Sequence, residues 1–507
     1  MGSLDQTTQP LRGINNVAVI GAGISGVTSA AHLLRQGLNV TIFERSSVAG
    51  GVWHYDDRVA NEPSYPNVQP PTPNFTGSAD LRSSKAKTFE EASLTHAPPG
   101  PCYKGLKNNV PTTLMRSTLL NWPEGTPEFV SQDRIDKYIQ ELTIHTGIQE
   151  HVLYDTAVDT VRKSPNGTKW DVGTSTLRKT GSDYEFVGRN WEFDAVIVAS
   201  GHYHEPKIPD LPGLKEWKAK SPQSVMHSKL YRSPELFRDK TILLIGAGVS
   251  SLDVARESEG VAKKIYQSAR DGQFDLPASL LPPGAERVGG VKKFELDDGA
   301  KSGRVTFADG RIVENIDVVV LGTGYVTSYP FLGELQDPSV PTEKADGKIV
   351  ISSDGLITHN LHKDIFYIPD PTLSFVGVPY YTSTFSLFDF QGEVVARFLA
   401  GKVALPSTEA MRREYDERKL GLAEGSKTFH SLMGKDAIYM NGILQWVNRD
   451  AVRLGYEPMR GVDEQWLDRY TSFMAEMKKR RETDPPEDQK ATLVPDVLRL
   501  AVGPASA

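Results

Sequence analysis

The chain has 507 residues, of which 39% are hydrophobic and 24% charged, with a formal net charge of −7. That is the balance of a globular protein with room for two or three domains; it carries no basic footprint for nucleic acid and no apolar run long enough to span a bilayer. The single cysteine, Cys102, excludes an intrachain disulfide, a redox-active Cys-x-x-Cys pair and a cysteine-built metal site, and the 11 histidines show no zinc-ligand spacing.

Residues 1–12 are polar and read as a mobile tail without a secretory signal, which favours a cytoplasmic location. Gly2 sits in no myristoylation motif, because Gln6 stands where Ser or Thr is required. A buried strand over 17–20 then runs into Gly21-Ala22-Gly23-Ile24-Ser25-Gly26 and a helical stretch. In such a turn the first glycine permits the tight bend and the second lets backbone approach a pyrophosphate. The third allows close helix–strand packing. The phosphates would meet free N–H groups at the helix N-terminus. A plain structural turn is the alternative reading. The next strand ends on Glu44, whose carboxylate can accept from ribose hydroxyls and would repel a 2′-phosphate, so FAD or NAD suits this site.

After a Gly50-Gly51 turn, residues 54–130 are rich in Pro, Asn, Ser and Thr with weak periodicity. Long irregular segments are usually functional or disordered; the aromatic residues Tyr55, Tyr65, Phe75 and Tyr103 suggest packing onto something, a substrate lid being one use. Residues 132–146 have helical spacing, 151–193 alternate as strands do, and 195–198 form a buried strand ending at Ser200-Gly201. Residues 216–235 read as a crossing linker.

A second strand–turn–helix follows, with Gly246-Ala247-Gly248-Val249-Ser250-Ser251 after a strand over 241–245. Ser251 takes the third glycine's place, a small residue that should still fit. The following strand brings no acid; it leads to Arg270, whose guanidinium suits the 2′-phosphate of NADPH, a surface arginine being the alternative. Two such units suggest two dinucleotides, with electrons passing between them. Disulfide reductases of that layout are excluded by the lone cysteine unless a partner chain supplies the thiols. The strand 318–321 ends at Thr323-Gly324-Tyr325, and the remaining chain is long enough to return and complete the first domain. Apolar residues at 466, 467, 470, 473, 474 and 477 make one helical face, and 478–481 a basic, solvated helix end.

From about residue 15 to 400 the chain resembles the flavin-containing monooxygenases. Glu44 followed by Gly50-Gly51-Val52-Trp53 matches the family's Glu and Gly-Gly-x-Trp; Tyr103, Leu106, Asn109 and Pro111, then Met115 and Trp122-Pro123, match its Tyr-x-x-Leu-x-x-Asn-x-Pro segment. Ser200, Gly201, His202 and Pro206 match its Ser-Gly-His turn, Thr323-Gly324-Tyr325 its Thr-Gly-Tyr, and Asp389-Phe390-Gln391 a late acid-x-Gln that contacts flavin. The family's linker Phe-x-Gly-x-x-x-His-x-x-x-Tyr/Phe keeps His227 and Tyr231 but departs at Ser221 and Gln223. The related Baeyer–Villiger enzymes usually carry Trp where Tyr231 stands.

The resemblance implies an α/β fold of two Rossmann-like domains, the NADPH domain inserted into the FAD domain: FAD at 13–215 and 326–460, NADPH at 216–325, and a C-terminal helix and tail at 461–507. It implies FAD and NADPH as cofactors, with O2 and a small-molecule substrate. An amine, heterocyclic nitrogen or sulfur would be oxygenated through a flavin hydroperoxide. Ketone insertion, a reductase serving a protein acceptor and an NADPH-sensing flavoprotein are the rivals. Motif and resemblance together assign cofactor contact to Gly21, Gly23, Ser25, Gly26, Glu44, Gly51, Val52, Trp53, Asn108, Asn109, Val158, Ser200, Gly201, Thr323, Gly324 and Gln391, and to Tyr231, Gly246, Gly248, Ser250, Ser251 and Arg270. Asn109 is the catalytic candidate, because a side-chain amide donates and accepts at once; a turn asparagine is the alternative. Tyr231 reads equally as a residue closing over NADP⁺ and as a packed linker aromatic; His227 and Cys102 read as structural. A homodimer is suggested by analogy alone.

Overall fold

The computed structural model describes residues 9–73, 86–272, 274–421 and 428–482. Phe75, residues 1–8 of the expected tail and everything beyond 482 lie outside the described residues.

Each glycine turn is the centre of its own sheet. The larger sheet runs in the order Leu361–His362, Phe366–Tyr367, Leu373–Phe375, Ala195–Val198, Asn16–Ile20, Asn39–Phe43, Val152–Leu153. Its strands from Leu373–Phe375 onward are parallel, and the other edge is antiparallel. The smaller runs Ala285–Val288, Lys264–Ser268, Thr241–Ile245, Val318–Leu321, Val225–His227, parallel throughout. Both are Rossmann-type sheets, and their ligand sites are expected beyond the carboxyl ends of the strands. The smaller sheet uses only residues between 225 and 321, while the larger takes strands from both sides of that interval, so the second unit is an insertion in the first.

The central strands are apolar runs because both faces are covered. Val17 and Val19 face one core and Ala18 and Ile20 another. In the smaller sheet Leu243 and Ile245 face one core and Ile242 and Leu244 the other. This is the period of two expected of strands. The alternating stretch 151–193 forms an antiparallel three-stranded sheet, Thr156–Lys163, Trp170–Thr180 and Asp183–Phe193, covering the second face of the larger sheet.

Two stretches depart from the sequence reading. The segment 54–130 contains a helix, Phe89–His96, whose first turn is capped by the Thr88 hydroxyl accepting from the Glu91 N–H. The stretch 216–235 is more than a linker: Val225–His227 is the edge strand of the smaller sheet.

Helix Thr384–Leu399 lies against helix Ile24–Arg35 so closely that a Cβ on Gly392 would sit 3.0 Å from Ser29. Helix Glu464–Glu482 docks through Trp466, which stacks on Tyr470 at 4.9 Å and donates to Ser386 Oγ at 3.1 Å. Leu467, expected on that face, is 41% exposed. No helix among the described residues is long and apolar enough to cross a membrane.

Candidate active site

In the first turn, Gly21 (φ +101°) and Gly26 leave no room for a side chain: a Cβ on Gly21 would lie 2.8 Å from Ala199 O, and one on Gly26 1.8 Å from Gly21 O. Gly23 begins helix Ile24–Arg35 with no side-chain cap and no acid in its first turn, so its leading N–H groups are available to an anion. Gly51 approaches equally closely, a Cβ there falling 2.8 Å from Gly23 Cα; Val52 and Trp53 complete that short helical turn. Glu44 is buried. It accepts from the Ala22 N–H at 2.7 Å and from the Ser46 N–H at 2.8 Å, which pins the turn to the end of the second strand. A carboxylate has about four acceptor positions, so capacity remains for ribose hydroxyls. The steric cradle and the uncapped, acid-free helix fit a pyrophosphate dinucleotide.

The second turn repeats the design. Gly248 begins helix Val249–Glu257, again with no side-chain cap and no first-turn acid, and a Cβ on it would meet nothing within 4 Å. Gly246 (φ +100°) is closed in by Gly322 O, 2.6 Å from its would-be Cβ. Ser250 is exposed on the first turn of the helix, whereas the Ser251 hydroxyl is buried against Gly322 without a hydrogen-bond partner. Arg270 is exposed just past the end of strand Lys264–Ser268.

The two units are joined where their strands end. Just past the turns Ser200-Gly201 and Thr323-Gly324, Glu205–Pro206 pairs antiparallel with Tyr325–Val326. Around this pair the Lys207 N–H donates to Gly324 O at 2.9 Å, and Thr323 Oγ1 donates to Lys207 O. His227 accepts the Lys229 N–H on Nδ1, so its Nε2–H donates to Gly324 O at 3.0 Å. Burial pushes its pKa down to about 3, which keeps it a neutral, structural histidine. Lys229 Nζ donates to His204 O at 2.7 Å; burial and then nearby Arg45 bring its pKa down to about 8.

Several of the residues assigned to cofactor contact also have hydrogen bonds within the chain. The side chain of Asn108 is committed to backbone: its amide donates to Val110 O and Glu128 O and accepts from the Val130 N–H at 2.6 Å. Asn108 is therefore a brace, and the adjacent Asn109 is the exposed member of the pair. Tyr231 is 0% exposed, stacked on Phe237 (5.7 Å, 8°) and donating to Glu257 Oε2 at 2.6 Å. Gln391 is wholly buried; it accepts from the Gly377 N–H and donates to the Tyr439 hydroxyl, so it shapes the Gly377 loop from beneath. Ser25 faces the same loop, since a Cβ on Gly377 would lie 2.6 Å from its Oγ. Val158 packs behind the larger sheet with Phe43 and Trp170. Cys102 is buried, and burial pushes its thiol up to about 12, consistent with an inert residue.

Sequence reading missed Asp389 as a hub. It accepts from Ser117 Oγ (2.7 Å), Thr118 N (2.9 Å) and Thr118 Oγ1 (2.7 Å) and bonds His32 Nε2 at 3.0 Å, tying two helices to the loop after Met115. Burial alone would raise its pKa; His32 and the Thr118 donors outweigh it and hold it below the usual carboxylate value.

A family model described as flavin-binding monooxygenase-like matches residues 98–280 and 275–452, and one described as FAD dependent oxidoreductase matches residues 16–58. The flavin-containing monooxygenase ustF2 of Aspergillus flavus is 42% identical over 486 residues, spanning 89% of this chain and 95% of its own length. Senecionine N-oxygenase of Tyria jacobaeae is 30% identical over 419 residues, covering 81% of this chain and 77% of its own. The solved structure of S-allyl-L-cysteine S-oxygenase from Allium sativum superimposes with a TM-score of 0.66 at 26% identity, over 92% of this chain and 93% of that one.

Proposed function

The chain belongs to the flavin-binding monooxygenase-like family and is an FAD- and NADPH-dependent monooxygenase; from that premise we propose that its substrate is a small molecule oxygenated at a soft nucleophilic nitrogen or sulfur. One relative is named for oxygenating nitrogen and one structural neighbour for oxygenating sulfur, which supports that substrate class. The observation that carries the reading is the pairing of Glu205–Pro206 with Tyr325–Val326, because it draws together the carboxyl ends of the two sheets and hence both nucleotide turns.

When bound, the cofactors supply the redox chemistry, a hydride from NADPH reducing FAD and the reduced flavin activating O2. The chain's own residues bind, orient and shield. Gly21, Gly23 and Gly26 with the N–H groups of helix Ile24–Arg35 would hold the FAD pyrophosphate, and Glu44 its ribose. Gly246, Gly248 and Ser250 would hold the NADPH pyrophosphate, and Arg270 its 2′-phosphate. Asn109, presented by the Asn108 brace, would place an amide that donates and accepts where the two cofactors meet. A neutral amine or thioether needs no base to expose its lone pair, so no acid–base dyad is required. In this reading residues 13–215 and 326–460 serve FAD, 216–325 serve NADPH, and 461–507 are the C-terminal helix and tail. A cytoplasmic location, a second copy of the chain as partner and no role for nucleic acid belong to the same proposal.

The test supplies NADPH and ¹⁸O2 with a panel of amines and thioethers and reads product mass. A product heavier by one ¹⁸O atom at nitrogen or sulfur supports the reading. NADPH consumption that yields only hydrogen peroxide across the panel counts against it, and lactones formed from cyclic ketones would favour ketone insertion.

A further inference from the structure

The loop bearing Asn108 and Asn109 is anchored on the inserted unit. The Tyr103 hydroxyl donates to Asp253 Oδ2 at 2.7 Å, and the Lys104 N–H to Arg232 O at 3.0 Å. Gly105 comes so close to Glu257 that a Cβ on it would lie 1.7 Å from Oε1. Glu257 is itself held by the Tyr231 hydroxyl, and the rings of Tyr103 and Tyr231 are 5.4 Å apart. Asp253 and Glu257 stand four residues apart on helix Val249–Glu257, the helix that begins at Gly248.

This arrangement is electrostatically costly. Two carboxylates share one face of a short helix, one of them at its last residue, where the helix dipole disfavours negative charge. Burial pushes both pKa values up. The tyrosine hydroxyls offset this by donating to them. A nucleotide turn needs neither carboxylate, since its own work is done by the N–H groups at the other end. The far side of the loop is also fixed, because Asn108 is tied to Val110, Glu128 and Val130. Residues 103–109 are therefore held between helix Val249–Glu257 on one side and the 128–130 segment on the other.

We propose that Tyr103 and Asp253, backed by Tyr231 and Glu257, are positioning residues that couple occupancy of the Gly246–Ser251 turn to the placement of Asn109. Phosphates at the helix N-terminus settle the helix, and the Tyr103–Asp253 bond carries that settling into the loop. The inference rests on the reading of the second turn as the NADPH site.

The experiment uses the FAD-loaded enzyme. Hydrogen–deuterium exchange of peptides covering 103–110 is followed with and without NADP⁺, for the unmodified chain, Tyr103→Phe, Asp253→Asn and Asp253→Leu. NADP⁺ affinity is read from the change in flavin absorbance, and coupling from hydrogen peroxide formed per NADPH. The expected result is exchange slowed several-fold by NADP⁺ in the unmodified chain and in Asp253→Asn, which keeps an acceptor for the tyrosine. Tyr103→Phe and Asp253→Leu should lose that protection and form more peroxide, while binding NADP⁺ within about threefold of normal. NADP⁺ binding without protection of 103–110, or loss of protection in Asp253→Asn, overturns the coupling and leaves the functional reading standing. Absence of any NADP⁺ binding overturns both.

Discussion

Ser251 and Gly322 fill one space between them: a Cβ on Gly322 would lie 2.1 Å from Ser251 Oγ. The first unit divides the same space the other way. There the third position of the turn is Gly26, and the residue after the paired strand is Ala199 rather than glycine. The serine in the second turn is tolerated because its neighbour has given up a side chain. Gly322→Ala should therefore destabilise the protein by about 1–3 kcal/mol, the usual cost of overpacking, and adding Ser251→Gly should restore most of it. Urea unfolding of the single and double variants checks this; equal loss in both would refute the exchange. Since the Ser251 hydroxyl is buried and unpartnered, Ser251→Ala should bind NADPH within about twofold, as no hydrogen bond is lost.

Arg270 stands exposed beyond the end of its strand. Removing a charge-assisted phosphate contact costs about 1.5–3 kcal/mol. Arg270→Ala should weaken NADPH binding by about 10- to 100-fold and leave NADH binding nearly unchanged. Titration with both nucleotides measures this, and an unaltered preference would remove Arg270 from the site.

The neighbouring asparagines should separate cleanly. Asn108→Ala breaks three hydrogen bonds to backbone, one buried and two partly buried, and should cost about 2–4 kcal/mol of stability, at roughly 1 kcal/mol per bond and more for groups left unpaired. Asn109→Ala should fold normally and still consume NADPH, but divert electrons to hydrogen peroxide. Thermal unfolding and peroxide yield decide between them; a coupled Asn109→Ala enzyme would leave that residue without its proposed role.

Glu44 has two duties, a structural one toward the Ala22 and Ser46 N–H groups and the proposed one toward ribose. Glu44→Ala should purify with markedly less FAD, and Glu44→Gln with an intermediate amount, because an amide keeps a single acceptor oxygen. Flavin-to-protein absorbance ratios read this directly.

The buried histidines set the acid limit of the fold. Burial holds His227 near 3, as it does His359, against an ordinary value of 6.5. Between those values the unfolded chain binds protons that the native one does not. The contribution of these two histidines is thus level above about pH 7 and falls as pH drops through 6.5, by about 1.4 kcal/mol per pH unit for each such group. At pH 5, His227 alone should cost about 2 kcal/mol. His227→Gln should flatten the pH dependence of urea stability between pH 6 and 5 by about one proton. An unchanged slope would mean that His227 titrates normally.

What sequence revealed, and what it did not, follows from the range of the interactions. The two glycine turns were legible because their constraints are local: a strand of period two, glycines at the bend, and a helix that starts uncapped. Glu44 and Arg270 stand at fixed places in such units. The side chains of Asn108, Tyr231 and Gln391 are hydrogen-bonded to Glu128, Glu257 and Tyr439, partners 20, 26 and 48 residues away, which the sequence did not show. Asp389 joins Ser117 and His32 across more than 270 positions. No spacing rule reaches that far, and an amide or hydroxyl looks the same in sequence whether it meets a ligand or a backbone carbonyl. The edge strand Val225–His227 was read as linker because three residues give no periodicity.

The chain passes from the larger sheet to the smaller between Val198 and Val225 and turns back after Leu321, and Lys207 and Gly324, one in each crossing, are hydrogen-bonded to each other. More than a hundred residues are thus spliced in at a single point of the host. Closing that gap with a short loop would demand little extra chain entropy, since the ends already meet. The covalent junction is therefore compact, while the host loop at Tyr103, Lys104 and Gly105 gives the inserted unit a second, non-covalent attachment.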